Sequence, residues 1–310
     1  MAAPLLRRRR VLAAKVEGTV GTAENLSATY ATFNVFNSVF APNIPHNERE
    51  GQGASLAPIT STFGGLSGTA TFSVEVTGVT TAPWAVTFLP TVGLKNTSGT
   101  FTLDSLPPEG SGSGTKTVTI GGYQDGLFKK IYGAMGNAVF RFRAGMPAMV
   151  DFTHVGCWAA PTDTAILAPT YVTTAPLRFV SSALAIGSVN PKCSELTVNL
   201  NNVVALREDP GTASGYHSAV ITGRRITGTM TIEATLVADY DPHGDMIGRI
   251  ERQLSFTLGS SGNQAAFTAP KMQITNVREG EINGVAANVI EFQLNRSASA
   301  GDDEFQIVLS

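Results

Sequence analysis

The sequence predicts an all-β protein in which a β-barrel or β-sandwich domain occurs twice. Three observations predict this class: short runs of alternating apolar and polar residues, connectors rich in Gly, Pro, Asn and Ser, and an internal repeat. The chain has 310 residues, more than a single hydrophobic core usually covers. Two domains are therefore expected.

Strands are predicted from alternation. In FSVEV (72–76) Phe72, Val74 and Val76 fall on one face of a strand, and Ser73 and Glu75 fall on the other. Such strands have one face on a core and one face in water, as in a sandwich or a closed sheet. The same pattern predicts strands at 68–76, 115–120, 138–145, 149–155, 195–200, 228–236, 253–258, 271–277 and 288–295.

One short helix is predicted in each half, within 82–96 and within 241–253. Pro90 and Gly93 interrupt the first apolar run, so that helix should be short. In the second, Asp241 is placed to cap a helix that begins with Pro242. Its apolar stripe is expected to include Met246, Ile247, Ile250 and Leu254.

The internal repeat relates LSGTATFSVEV (66–76) to ITGTMTIEATL (226–236) at a spacing of 160, and Arg49-Glu50 to Arg207-Glu208 at a spacing of 158. We predict a first β-domain with an N-terminal arm over 1–160 and a second with a C-terminal arm over 191–310. The prolines at 161, 169 and 176 favour a connector over 161–190.

A long stretch precedes the repeated strand in each half, at 42–65 and at 207–225. Loops of this length in compact domains are usually functional or disordered. Their equivalent positions suggest a shared task, such as reaching a neighbouring molecule. Arg49, Glu50, Arg207 and Glu208 are therefore predicted self-assembly residues.

Charge is distributed unevenly along the chain. The first 16 residues carry five basic and no acidic side chains, which leaves 17 basic against 24 acidic residues in the remainder. A body of that sign repels a phosphate backbone, so sequence-specific DNA binding is not expected.

The run Arg7, Arg8, Arg9 and Arg10 has three interpretations: an export signal, a nucleic-acid-binding arm or an assembly segment. VLAA is followed at once by Lys15 and Glu17, which is too short for the apolar region of a signal peptide. No stretch reaches the ~20 apolar residues of a membrane span, so no stable membrane association is expected. The charge of the body favours the assembly segment.

No enzyme, cofactor or metal site is predicted. The four histidines lie in unrelated segments, and His154 is interpreted as a packed strand residue. Cys157 and Cys193 form no C-x-x-C pair and are predicted free thiols. The chain contains no nucleophile elbow or phosphate-binding glycine loop in the required strand-to-helix context.

Several segments together resemble the major tail tube proteins of long-tailed, siphovirus-type bacteriophages, in a two-domain type: LLRRRRVLAAKVEGTVGTAE, AAPTDTAIL, VITGRRITGTMTIEA, FTAPKMQITN and SASAGDDEFQIVLS. The resemblance runs in the same order from near residue 5 to the C-terminus. It implies a virion structural protein, assembled in the host cytoplasm, that forms stacked rings around a tape-measure protein. Double-stranded DNA would pass through the bore, and tail terminator and distal tip proteins would bind the ends.

Given the resemblance, two domains per chain predict trimeric rings with pseudo-sixfold symmetry, with a hexamer of chains as the fallback. Glu75, Asp151, Glu233 and Glu291 are candidate bore-facing residues, because a DNA conduit should repel phosphates. The four arginines are expected to dock on an acidic surface of an adjacent ring. Two alternatives stay open: another virion component of the same fold, such as a tail-completion or hub protein, and a receptor- or carbohydrate-binding β-sandwich.

Overall fold

The fold is all-β, as predicted. The structure is a computed structural model that describes residues 4–53 and 57–310. The elements of the first half are β1 (Arg10–Val16), β2 (Val35–Asn43), β3 (His46–Asn47), β4 (Thr62–Phe63), β5 (Ser67–Glu75), α1 (Pro83–Phe88), β6 (Leu94–Thr97), β7 (Thr100–Leu103), β8 (Val118–Gln124), β9 (Leu127–Arg143) and β10 (Met149–Asp163).

The second half repeats this plan with fewer strands. Its elements are β11 (Ala185–Ile186), β12 (Cys193–Asn199), β13 (Val203–Glu208), β14 (Tyr216–Gly223), β15 (Thr227–Glu233), α2 (Pro242–Gly248), β16 (Glu251–Ser260), β17 (Asn263–Ile282), β18 (Val285–Asn295) and β19 (Gln306–Leu309). Single 3-10 turns lie at Ala28–Tyr30 and Leu89–Val92.

Strand pairing follows the same order in both halves. The first half pairs β2-β5-β10-β9-β8-β1, and the second pairs β12-β15-β18-β17-β16-β11, all antiparallel. Even an irregularity recurs: the register shifts between Val155 and Cys157 against β9, and between Ile274 and Asn276 of β17 against β18. The pairing therefore assigns each strand of one half an equivalent in the other.

The two halves share one sheet. β9 pairs with β12, and the C-terminal strand β19 lies between β17 and β7 of the first half. The predicted boundaries at 160 and 191 stay a prediction, and β10 continues to Asp163.

The core lies on one face of the sheet. Its largest fully buried side chains include Phe88, Phe140, Phe142, Phe152, Phe267 and Phe292, and both tryptophans, Trp84 and Trp158, are buried with them. His154 is fully buried, as expected for a packed residue, and its Nε2 lies 2.7 Å from Thr91 Oγ1. Desolvation lowers the pKa of His154 to about 3, which keeps the ring neutral at physiological pH.

Both predicted helices are present. α1 ends at Phe88 and gives way to the 3-10 turn that contains Pro90, and Gly93 takes φ +89° where the turn ends. Asp241 caps α2 by accepting a hydrogen bond from Gly244 N at 2.8 Å. The stripe predicted for α2 is wrong at Ile247 and Ile250, which are 78% and 44% exposed, because the helix ends at Gly248. Met246 packs against the core as predicted, and Leu254 is buried as part of β16.

The two long stretches are not structureless. Each contains an antiparallel ribbon, β3 with β4 in the first half and β13 with β14 in the second. Residues 54–56 of the first stretch lie outside the described residues. The ribbons occupy equivalent positions, between β2 and β5 and between β12 and β15.

Candidate assembly surface

The junction between the halves is built from backbone pairing. β12 pairs with β9 from Glu195 opposite Arg143 to Asn199 opposite Val139. Leu200 N continues the ladder by donating to Ala138 O at 3.1 Å. Residues 138, 140 and 142 therefore direct their backbone polar groups toward β12, because hydrogen-bonding direction alternates along a strand.

The turn between β9 and β10 is held at the far end of this junction. Ala144 N donates to Ser194 O at 2.9 Å, at the start of β12. Gly145 N donates to Phe179 O at 3.0 Å, and Ala148 N to Leu177 O at 2.8 Å. The turn thus lies between β12 and the segment that precedes β11.

The β13–β14 ribbon folds back over the first half. Arg207 Nη1 donates to Glu109 Oε2 at 2.6 Å, and Cys157 Sγ lies 3.4 Å from Tyr216 O. Gly21 has φ +74°, and a Cβ there would lie 2.3 Å from His217 O. Glycine at this position permits both the left-handed turn and the close approach of β14.

A buried carboxylate organises the loop under this ribbon. Glu17 is 5% exposed and accepts four hydrogen bonds, from Gly21 N, Gly133 N, Thr117 Oγ1 and Thr119 Oγ1, at 2.7–3.0 Å. Burial raises the pKa of Glu17, and the four donors oppose that shift. The group fixes the loop 17–21 against β8 and β9.

Asparagines join the halves beside the β9–β12 ladder. Asn202 Nδ2 donates to Val92 O at 2.7 Å and to Gly136 O at 3.0 Å. Asn202 N donates to Asn137 Oδ1 at 3.0 Å, and Asn137 Nδ2 donates to Asn199 Oδ1 at 2.8 Å. These bonds connect β9 to the end of β12 and to the residues between β12 and β13.

Two of the strand edges without a partner among the described residues lie at equivalent sides of the junction, on β2 and on β17. β2 is the terminal strand of its sheet, and its outer edge pairs with no strand of the described chain. β17 pairs with β16 only as far as Gln273, so the same edge of β17 from Asn276 to Ile282 is also without a partner among the described residues. Open edges of this length normally need protection in a monomer.

The N-terminal arginines surround a groove beside β2. Arg10 Nη1 donates to Ser38 O at 2.8 Å, and Arg9 forms an ion pair with Asp125. Arg7 and Arg8 are exposed and make no ion pair with any residue that the structure describes. With Arg10 they line cavities of about 210 and 580 Å³ between the N-terminal arm (residues 4–9) and β2.

The other predicted assembly residues fall at two places. Arg207 belongs to the junction between the halves, while Glu208 ends β13 and is exposed. Arg49 and Glu50 lie exposed in the β3–β4 ribbon, where Arg49 Nη1 donates to Thr60 O at 3.3 Å. The structure thus separates Arg49 and Glu50 from the arginines of the arm.

The four bore candidates lie on one face of the sheet. Paired residues share a face, and the pairs Ser73–Asp151, Asp151–Val139, Val139–Asn199, Asn199–Thr227 and Thr229–Glu291 connect Glu75 and Asp151 to Glu233 and Glu291. This face, the polar face, is opposite the core.

Cations accompany three of these acids. Arg141 Nη2 lies 2.7 Å from Asp151 Oδ1, Arg278 pairs with Glu291, and Lys192 Nζ lies 3.4 Å from Glu233 Oε2. Glu75 accepts a hydrogen bond from Asn34 at 3.4 Å. Three of the four candidate acids are therefore held in ion pairs.

A family model described as phage tail tube protein matches residues 7–295 of the chain. The chain belongs to this family. No curated protein matches it.

Membership makes the chain a structural protein of a phage tail, with its place in the virion tail and no enzymatic role. In this tail tube protein, no helix among the described residues is long and apolar enough to span a membrane. Sequence reasoning missed three features: the buried carboxylate of Glu17, the bonds of Asn202 between the halves, and the exposed Glu279 and Glu281 near the tip of the β17–β18 hairpin. The hairpin could have been found by extending the repeat strand by strand, whereas Glu17 and Asn202 carry no motif.

Proposed function

We propose that this tail tube protein is the major tail protein of a long-tailed, siphovirus-type phage, and that it self-assembles into stacked rings. The rings form a hollow tube that encloses the tape-measure protein and conducts double-stranded DNA at ejection. Tail terminator and distal tip proteins bind its two ends. Assembly takes place in the host cytoplasm, and each chain contributes two tube domains.

The observation that carries this proposal is the junction between the halves. β2 is the equivalent of β12, because Asn43 pairs with Ser67 as Asn199 pairs with Thr227 within the repeated segment. β17 is the equivalent of β9 through the same chain of pairs. The open edges of β2 and β17 are thus the two sides of a second junction, which only another copy of the chain can complete.

The equivalence also gives a register. Gly280 corresponds to Val139, Glu281 to Phe140 and Ile282 to Arg141. Transferring the β9–β12 pairs then places Ile282 of one copy opposite Ala41 of the next, and Glu281 opposite Pro42. Pro42 has no N–H to donate across this junction, so the pair Glu281–Pro42 would make one hydrogen bond, from Glu281 N–H to Pro42 O.

A ring of six equivalent domains contains three junctions within chains and three between them. When the same junction is repeated head to tail, the contact is heterologous, and it closes into a ring if the rotation from one domain to the next divides a full turn evenly. We therefore propose a ring of three two-domain chains. A ring of six chains would have twice the mass of this trimer.

In such a ring the core face points outward and the polar face lines the bore. Hydroxyl, amide and ion-paired side chains bind a phosphate backbone weakly. Tight binding needs unpaired Lys or Arg side chains that displace the counterions condensed on the DNA, and this face offers few of them. Asp151 and Glu291 would then keep Arg141 and Arg278 occupied, and Glu233 would keep Lys192 occupied. DNA would pass without adhering.

Negative-stain electron microscopy of the purified chain, over a series of rising concentrations, tests this proposal. We expect rings or hollow tubes with threefold or pseudo-sixfold end views. A compact monomer at every concentration would contradict self-assembly. Rings that never stack, with only a few copies in each virion, would instead indicate a tail-completion or hub protein.

A further inference from the structure

The equivalence of the two halves fails at one place on the proposed interface. Ala138 and Phe140 of β9 are fully buried at the junction within the chain. Their equivalents on β17 are Glu279 and Glu281, both exposed and neither paired with a cation among the described residues. Two core positions have become acidic on the strand edge that faces another copy.

On the β2 side of the proposed interface, the side chains that differ from the inner junction are basic. Ser38 is the equivalent of Ser194, whose carbonyl holds the β9–β10 turn at the inner junction. At the outer junction the same place adjoins the arm, where Arg7, Arg8, Arg10 and Lys129 line the groove with Ser38 and Val39. The transferred register places the turn Asn283-Gly284 opposite Phe40 and Val39, inside this basic groove, and places Glu281 beside it, opposite Pro42.

We propose that the groove between the N-terminal arm and β2 receives the tip of the β17–β18 hairpin of a second copy of this chain, with Glu281 beside the groove lined by Arg7 and Arg8 and Glu279 next to it along the same strand edge. This inference rests on the proposed ring. It places the arginines against a neighbour within the ring, not against an adjacent ring.

The geometry of both sides fits this contact. Glu281 falls opposite Pro42 and diagonal to Phe40, on the face of β2 that packs toward β8 and the arm. Asn283 and Gly284 form a tight turn, narrow enough to enter as the β9–β10 turn enters the inner junction. Val285 beside the turn and Val39 in the groove are 48% and 51% exposed, so the contact would also cover apolar surface.

The charges would also select the partner surface. The hairpin tip has one basic neighbour, Arg278, which is already paired with Glu291. Complementary charges on the two sides speed the encounter and disfavour wrong registers. The acidic tip and the basic groove would therefore direct the β17 edge to β2.

Charge reversal tests the contact. Arg7→Glu with Arg8→Glu, and separately Glu279→Lys with Glu281→Lys, should each raise the concentration needed for assembly about tenfold, because attraction becomes repulsion across a partly desolvated contact. Combining all four changes should restore assembly to near the wild-type concentration. Lys116→Glu with Arg296→Glu is the control for the arginine variant, with the same change in net charge at exposed sites away from the groove.

Sedimentation velocity over a concentration series measures these effects. The contact would be overturned if the double variants assembled at the wild-type concentration. It would also be overturned if the variant with all four changes needed as high a concentration as the double variants. A wild type that never assembles would instead remove the proposed function itself. If a reversed variant unfolds, Arg7→Gln with Arg8→Gln gives a second test: the wild type should need more protein to assemble as salt rises, and this variant should lose that dependence.

Discussion

A Glu281→Pro variant is expected to remain folded and to lose tube formation. The turn Asn283-Gly284 pairs Ile282 with Val285, so Glu281 directs its N–H away from β18 and toward the open edge of β17. Proline removes that donor and adds a ring at the strand edge, while the ladder to β18 stays intact. Each junction would lose about 1–3 kcal/mol, which is a tenfold to hundredfold change in association.

Glu281→Thr is the matched control, because it removes the same carboxylate but keeps the N–H. It should assemble more weakly than the wild type and far better than Glu281→Pro. Thermal unfolding of the unassembled chains should be nearly equal for all three proteins. Tubes from the proline variant at the wild-type concentration would show that this edge does not pair.

Glu17→Ala is expected to destabilise the isolated chain by about 3 kcal/mol or more. The substitution leaves four buried donors without an acceptor, on Gly21, Gly133, Thr117 and Thr119. For a chain of this size the melting temperature should fall by about 5 °C. The loss should extend to the β13–β14 ribbon, because β14 rests on Gly21 and Gly133.

Glu24→Ala is the control for this variant. Glu24 pairs with Lys15 at 2.6 Å nearer the surface, where an ion pair contributes little. Circular dichroism melts of the two variants beside the wild type measure the difference. If the Glu17→Ala and Glu24→Ala proteins had the same melting temperature, the organising role of the buried carboxylate would be refuted.

Much of the fold could be predicted from local sequence. Alternation identifies strands because burial of one sheet face imposes a period of two, and it also places Glu75 and Asp151 on the face opposite Phe72 and Val74. Asp241-Pro242 marks the start of α2 because both residues act within one turn. The ribbons were harder to predict, because Tyr216–Gly223 is a strand only through its pairing with Val203–Glu208.

The assembly surface needed the structure because its contacts are non-local. Glu17 meets Thr117 and Gly133 across 100 and 116 residues, and no pattern near Glu17 indicates this. The sequence also does not show which acidic residues of the polar face are ion-paired, because Arg141 lies beside Asp151 only in the folded sheet. Glu279 and Glu281 stand out only after β17 is matched to β9.

Disulfide trapping of Ala41→Cys with Ile282→Cys tests the ring closure most directly. The transferred register makes these residues a non-hydrogen-bonded pair, with Cα atoms about 4.5 Å apart, which suits a disulfide. In a Cys193→Ser background, mild oxidation of the assembled protein should yield covalent dimers and trimers and nothing larger. A chain that stays monomeric on oxidation, while Ala41→Cys with Glu279→Cys or another register cross-links, would contradict the proposed pairing of β2 with β17.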